Sequence, residues 1–116
     1  MRKTLVIQPF GFRLEIFIGD GKSFKRSGLG KHFEDFDPAT TKGYAGWVEW
    51  VDDDQGGRVF IMWFSESSVD IGIVAHESFH VATDILEYAG AEDEESTAYL
   101  VGYISQTVAE MIWKFK

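Results

Sequence analysis

Two spacings of hydrophobic residues divide the chain into a strand-like front and a helical back. Phe12, Leu14, Ile16 and Ile18 alternate with Arg13, Glu15 and Phe17, the period of two expected of a β-strand. Leu5 to Ile7 forms a shorter run before it, separated by Pro9 and Gly11, and Gly19-Asp20-Gly21 closes the second run as a turn. Tyr44 to Val51, with Tyr44, Trp47 and Trp50, predicts a third strand, and the almost wholly apolar Arg58 to Phe64 predicts a fourth. The polar Asp52-Asp53-Asp54-Gln55-Gly56-Gly57 between them makes the pair an antiparallel hairpin. Its three aspartates fit a solvated turn; the alternating oxygens and distal glutamate of a calcium loop are absent. Residues 20–42 follow no period and predict a long loop, with or without a short helical piece, pinned by Phe24, Leu29, Phe33 and Phe36.

Beyond Phe64 the spacing changes to that of helices. A helix is expected from Val69 to Ala89, with start signals at Ser67 and Asp70 and Gly90 as its stop. Ile71, Val74, Ala75, Phe79, Val81, Ala82, Ile85 and Leu86 fall on one broad face, and His76, Glu77, His80, Asp84 and Glu87 on the other. Asp93 caps a second helix, Glu94 to Trp113, whose apolar side is Leu100, Val101, Ile104, Val108, Met111, Ile112 and Phe115. Ala98, Gly102 and Ala109 give it a small-residue flank, along which Glu95 and then Tyr99 project. These elements predict one α+β domain over residues 1–116: a small antiparallel sheet, made of the N-terminal strands and the hairpin near 44–64, packed on two antiparallel C-terminal helices.

Composition narrows the partners. With 45% apolar and 16% aromatic residues, 116 residues suffice for one core. The absence of cysteine excludes disulfides, thiolate metal sites and cysteine nucleophiles. A formal charge of −8 opposes binding to nucleic-acid phosphates, and Lys22, Lys25, Arg26 and Lys31 make too thin a basic patch to reverse it. Met1 to Pro9 begins like a signal peptide but has a short apolar run and no cleavage site, and no segment approaches the roughly 18 apolar residues of a membrane span. A cytoplasmic protein without a membrane partner is the expectation.

Chemistry concentrates in His76-Glu77-Ser78-Phe79-His80, a His-Glu-x-x-His sequence. Histidines four apart on a helix lie on one face, roughly 5–6 Å between Cβ atoms, and can converge on one zinc ion, while Glu77 is placed to take a proton from metal-bound water. A catalytic zinc needs a third protein ligand. Without cysteine, Glu95 and Glu94 are the candidates, and Glu95 is preferred because Ala98 leaves room for close helix packing. The other view of Glu92 to Glu95 is a set of charges favourable to a helix N-terminus.

Val74 to Asp84 resembles the active helix of gluzincin metallopeptidases, and Glu95-Ser96-Thr97-Ala98-Tyr99 is similar to their downstream glutamate segment, with Tyr99 where an acidic residue is often found. Residues 59 to 104 also resemble small metallopeptidase-like proteins of phages and prophages. The resemblance implies a zincin-like fold, Zn²⁺ held by His76, His80 and Glu95, and Glu77 as general base in hydrolysis of a peptide or protein substrate. It also implies Asp84 or Tyr99 as partner of a ligand histidine, and the strand Val59 to Phe64 as an edge for the substrate. Tyr99, Tyr103 and His32 are candidate oxyanion donors. Two alternatives stand beside hydrolysis: a catalytically silent scaffold of this kind that binds a host or phage protein, and a closed structural metal site.

Overall fold

The computed structural model describes residues 1–28, 45–52 and 57–113. The expectations for His32 and for the anchors Leu29, Phe33 and Phe36 lie outside them. Four strands, β1 (Arg2–Ile7), β2 (Phe12–Ile18), β3 (Gly46–Asp52) and β4 (Arg58–Phe64), form one sheet in the order β1-β2-β4-β3. A short helix, α1 (Gly21–Arg26), follows β2, and two long helices, α2 (Ile71–Ala89) and α3 (Glu94–Trp113), complete the chain.

The α+β class holds, but the sheet is mixed rather than antiparallel. The pairs β1–β2 and β3–β4 are antiparallel, the second being the expected pairing of the 44–64 region, whereas β2 and β4 run parallel, with Leu14 opposite Phe60 and Ile16 opposite Met62. This places β4 inside the sheet. Its residues from Val59 to Phe64 are all buried, which explains the unbroken apolar run: an interior strand covered on both faces has no polar side to alternate with. Val59 to Phe64 is therefore not an edge, and among the described residues the outer strand against α2 is β3.

The main core lies between the sheet and the helix pair. Leu14, Ile16, Ile18, Phe60, Met62 and Phe64 meet Val74, Val81, Ala82 and Ile85 of α2 and Ile104 and Val108 of α3. The opposite sheet face carries a smaller cluster, Phe17, Val59, Ile61 and Trp63, closed by Phe24 of α1; the Trp63 indole N–H donates to the Gly19 carbonyl at 3.1 Å. On that face the buried Glu15 carboxylate accepts from Thr4 at 2.8 Å and pairs with Arg2 and Arg13, each at 3.3 Å. Its charge is thereby matched where it leaves water.

Helix ends follow local chemistry. Asp20 caps α1, holding the Ser23 amide at 2.6 Å, and Asp93 accepts the Ser96 amide at 2.7 Å; these bonds to the ionised form hold both carboxyls below their ordinary range. Asp70, not Ser67, caps α2, accepting from the Ile73 amide at 2.9 Å, so this helix begins two residues later than expected. Gly90 ends it in the left-handed region at φ 68°, which glycine adopts without a Cβ penalty. The buried stripe of α2 is Val74, Ser78, Val81, Ala82, Ile85 and Leu86; Ile71, Ala75 and Phe79 face outward, contrary to the broad face expected of them.

Arg58 ties the hairpin to the end of α2. Its guanidinium lies 3.4 Å from the Trp50 ring centroid and 4.2 Å from that of Tyr88, and its Nε bonds Asp52 at 3.0 Å. Arg58→Met, which keeps most of the stem and removes the cation, is expected to cost about 0.5–2 kcal/mol. The check is chemical denaturation, with a lowered midpoint at unchanged slope.

Candidate functional site

The two histidines of the His-Glu-x-x-His sequence come together as their spacing requires. One helical turn apart on α2, His76 and His80 bring their Nε2 atoms to 3.1 Å, with ring centroids 4.6 Å apart and planes at 78°. At that distance the two ring nitrogens can form one hydrogen bond, whose direction is set by the tautomers.

Together with Glu77 and Asp84, the histidines line a groove of about 520 Å³ against Gly46, Trp47 and Val48 of β3. Gly46 lets the helix approach this closely: a Cβ there would stand 2.9 Å from Glu77 Cγ and 3.3 Å from both Ile73 Cγ2 and Phe64 Cδ1. The contribution of β3 was not foreseen from sequence; a glycine opening an aromatic strand was the one available hint.

Among the described residues no lysine or arginine bonds the carboxylates of this groove. Burial pushes the Glu77 carboxyl above its ordinary range, and the nearby charges of His76 and His80 only partly offset this. Asp84 is also pushed up, first by burial and then by Glu87, with Glu49 adding to the shift and His80 and Arg58 opposing it. Neither carboxylate makes a hydrogen bond or ion pair with a described residue.

Glu95 is elsewhere. It lines a different cavity, with Leu86, Tyr99 and the turn between β1 and β2. Glu94 borders a third depression beside Phe79 and Thr83. The reason lies in how the helices pack: α3 covers one flank of α2, while His76 and His80 point from another, toward β3. Of the residues considered as further participants, Asp84 does join the histidine groove, whereas Tyr99 and Tyr103 line the Glu95 cavity.

No family model, no curated protein and no solved structure matches the chain. Among the described residues no group of three His, Cys, Asp or Glu could hold a metal ion. Two imidazoles fall short of the three protein ligands that a catalytic zinc requires. These findings overturn the gluzincin resemblance, the phage-type metallopeptidase reading, the Zn²⁺ cofactor and the zinc peptidase activity inferred from His76, His80 and Glu95. The general-base role of Glu77 depended on metal-bound water and goes with them. The resemblance rested on local stretches, Val74 to Asp84 and Glu95 to Tyr99, whose patterns fix donors along each helix and nothing about what faces them. No helix among the described residues is long and apolar enough to cross a membrane.

Proposed function

We propose that the groove between α2 and β3 is a recognition site for an extended protein segment carrying a lysine or arginine side chain. The observation that carries this reading is the pair of part-buried carboxylates in this groove, Glu77 and Asp84, held above their ordinary range with no cation among the described residues bonded to either. A basic side chain entering beside them would supply the missing charge, in a place where partial exclusion of water strengthens charge-assisted hydrogen bonds. The formal charge of −8 favours approach of such a partner. The groove borders the first three residues of β3, the last strand in the order among the described residues, so an extended segment entering it lies beside that strand. The imidazole pair offers polar contacts to the same side chain or its backbone.

The test uses a labelled hexapeptide of alternating valine and threonine with one central lysine, and a second peptide in which norleucine replaces the lysine. Fluorescence anisotropy should find the lysine peptide bound at least about tenfold more tightly, a difference of about 1.4 kcal/mol. Equal affinity for the two peptides, or no binding by either, would overturn the reading.

The pH dependence has a definite sign. A bound cation lowers the pKa of Glu77 and Asp84, so the complex holds fewer protons than the free protein. Affinity should rise with pH through the interval between the bound and free values and level off above it. Of the other groups around the site, His76 and His80 lie beside Glu77, Glu87 and Glu49 attract the cation, and Arg58 opposes it. Affinity that fell over this interval would contradict the assignment of the two carboxylates.

A further inference from the structure

The cavity that takes in Glu95 has a chemistry of its own. It encloses about 690 Å³ between the β1–β2 turn and the first half of α3, within the usual size range of small-molecule sites. Glu95, Tyr99 and Tyr103 succeed one another at four-residue intervals, so they stand in a row along one face of α3. The two tyrosines are held well out in water, at 77% and 44% exposure, and Pro9 and Phe10 line the cavity from the turn, with Leu86 from α2. No lysine, arginine or histidine lines it, and Glu95 is its one acidic residue among the described residues. Aromatic walls, an apolar floor and a single negative charge are complementary to a cation whose charge is spread over an apolar shell.

We propose that this cavity binds a small free organic monocation of the alkylated ammonium class, with the Tyr99 and Tyr103 rings against its methyl groups and Glu95 as its counter-ion. The electron-rich ring faces attract the cation, while the alkyl shell is compatible with Pro9, Phe10 and Leu86 in a way that a strongly hydrated metal ion or primary ammonium is not. The site is separate from the α2–β3 groove and shares no lining residue with it, so neither assignment depends on the other.

Choline and its uncharged isostere 3,3-dimethylbutan-1-ol are the probes. Titration of the full-length, isotope-labelled protein, followed by amide chemical shifts, should place choline at Glu95, Tyr99 and Tyr103, with the alcohol binding at least about tenfold more weakly. Glu95→Gln and Tyr99→Leu alter exposed side chains and should leave the fold intact while weakening choline binding about three- to tenfold each. The proposal is overturned if choline and the alcohol bind equally, if neither shifts these residues at tens of millimolar, if the shifts instead map to His76 and Glu77, or if both variants bind choline as the unaltered protein does.

Discussion

Replacing Glu77 by Gln and Asp84 by Asn together is expected to weaken binding of the lysine peptide by about 10- to 100-fold while making the protein more stable at neutral pH. The two effects share one cause. Both carboxyls are pushed up chiefly by burial, so in the folded protein each holds its proton more tightly than in the unfolded chain. Stability therefore falls as pH rises from the ordinary carboxylate value through the raised folded value, and the penalty is complete above it. Neutral amides of nearly the same shape remove the penalty. Because both groups keep considerable contact with solvent, the gain is modest, and a rise in Tm of about 1–4 °C is expected at pH 7. The gain should vanish at a pH low enough to protonate both carboxyls. The same substitution removes the charges that would receive a basic side chain, and charge-assisted bonds of this kind contribute about 1.5–3 kcal/mol each before exposure is discounted. Differential scanning calorimetry at two pH values, alongside peptide anisotropy, tests both halves. A variant that lost stability at neutral pH, or bound the peptide unchanged, would show that these carboxylates are satisfied by something other than a ligand. A gain in stability joined to a loss of recognition is the usual signature of groups kept for function.

Phe60→Ala should have the largest effect on folding, a loss of about 3–5 kcal/mol. Phe60 is fully buried in the interior strand β4, opposite Leu14 of β2 and Trp50 of β3. Its ring lies 6.1 Å from Phe12 and 6.1 Å from Tyr88, the tyrosine that also flanks Arg58. Truncation removes the ring's transfer energy and leaves a cavity where three strands and the end of α2 meet, with little freedom to collapse. Domains of this size have total stabilities of about 5–15 kcal/mol, so the variant should melt at least about 12 °C lower, and the least stable outcome is a chain largely unfolded at 37 °C. Phe60→Leu, which keeps most of the volume, should recover most of the loss. Thermal unfolding followed by circular dichroism measures both. A change below about 1 kcal/mol for Phe60→Ala would mean that the interior strand is not packed as described.

Periodicity and local chemistry, both legible in the order of residues, set the elements and their ends. The alternation in Phe12 to Ile18 specified β2 to the residue, Asp93 and Gly90 marked helix ends that their side-chain acceptor and left-handed backbone provide, and the four-residue histidine spacing guaranteed that His76 and His80 would meet. Each of these depends on residues within a turn or two of one another. The partners lying across from these elements were decided by tertiary packing. The parallel pairing of β2 with β4 joins segments more than forty residues apart, and nothing in either run specifies its neighbour's direction. That pairing moved β4 inside the sheet and left β3, with Gly46, to border the histidines. Which flank of α2 would receive α3 was likewise outside the local pattern, because Ile71, Ala75 and Phe79 have the right spacing for a core they do not join. Packing the other flank carried Glu95 into a cavity with Tyr99 and Tyr103 and away from the imidazoles it was expected to accompany. A helix fixes the relative positions of its own side chains through its backbone hydrogen bonds, but which of its faces is buried is settled by the summed burial of the whole chain.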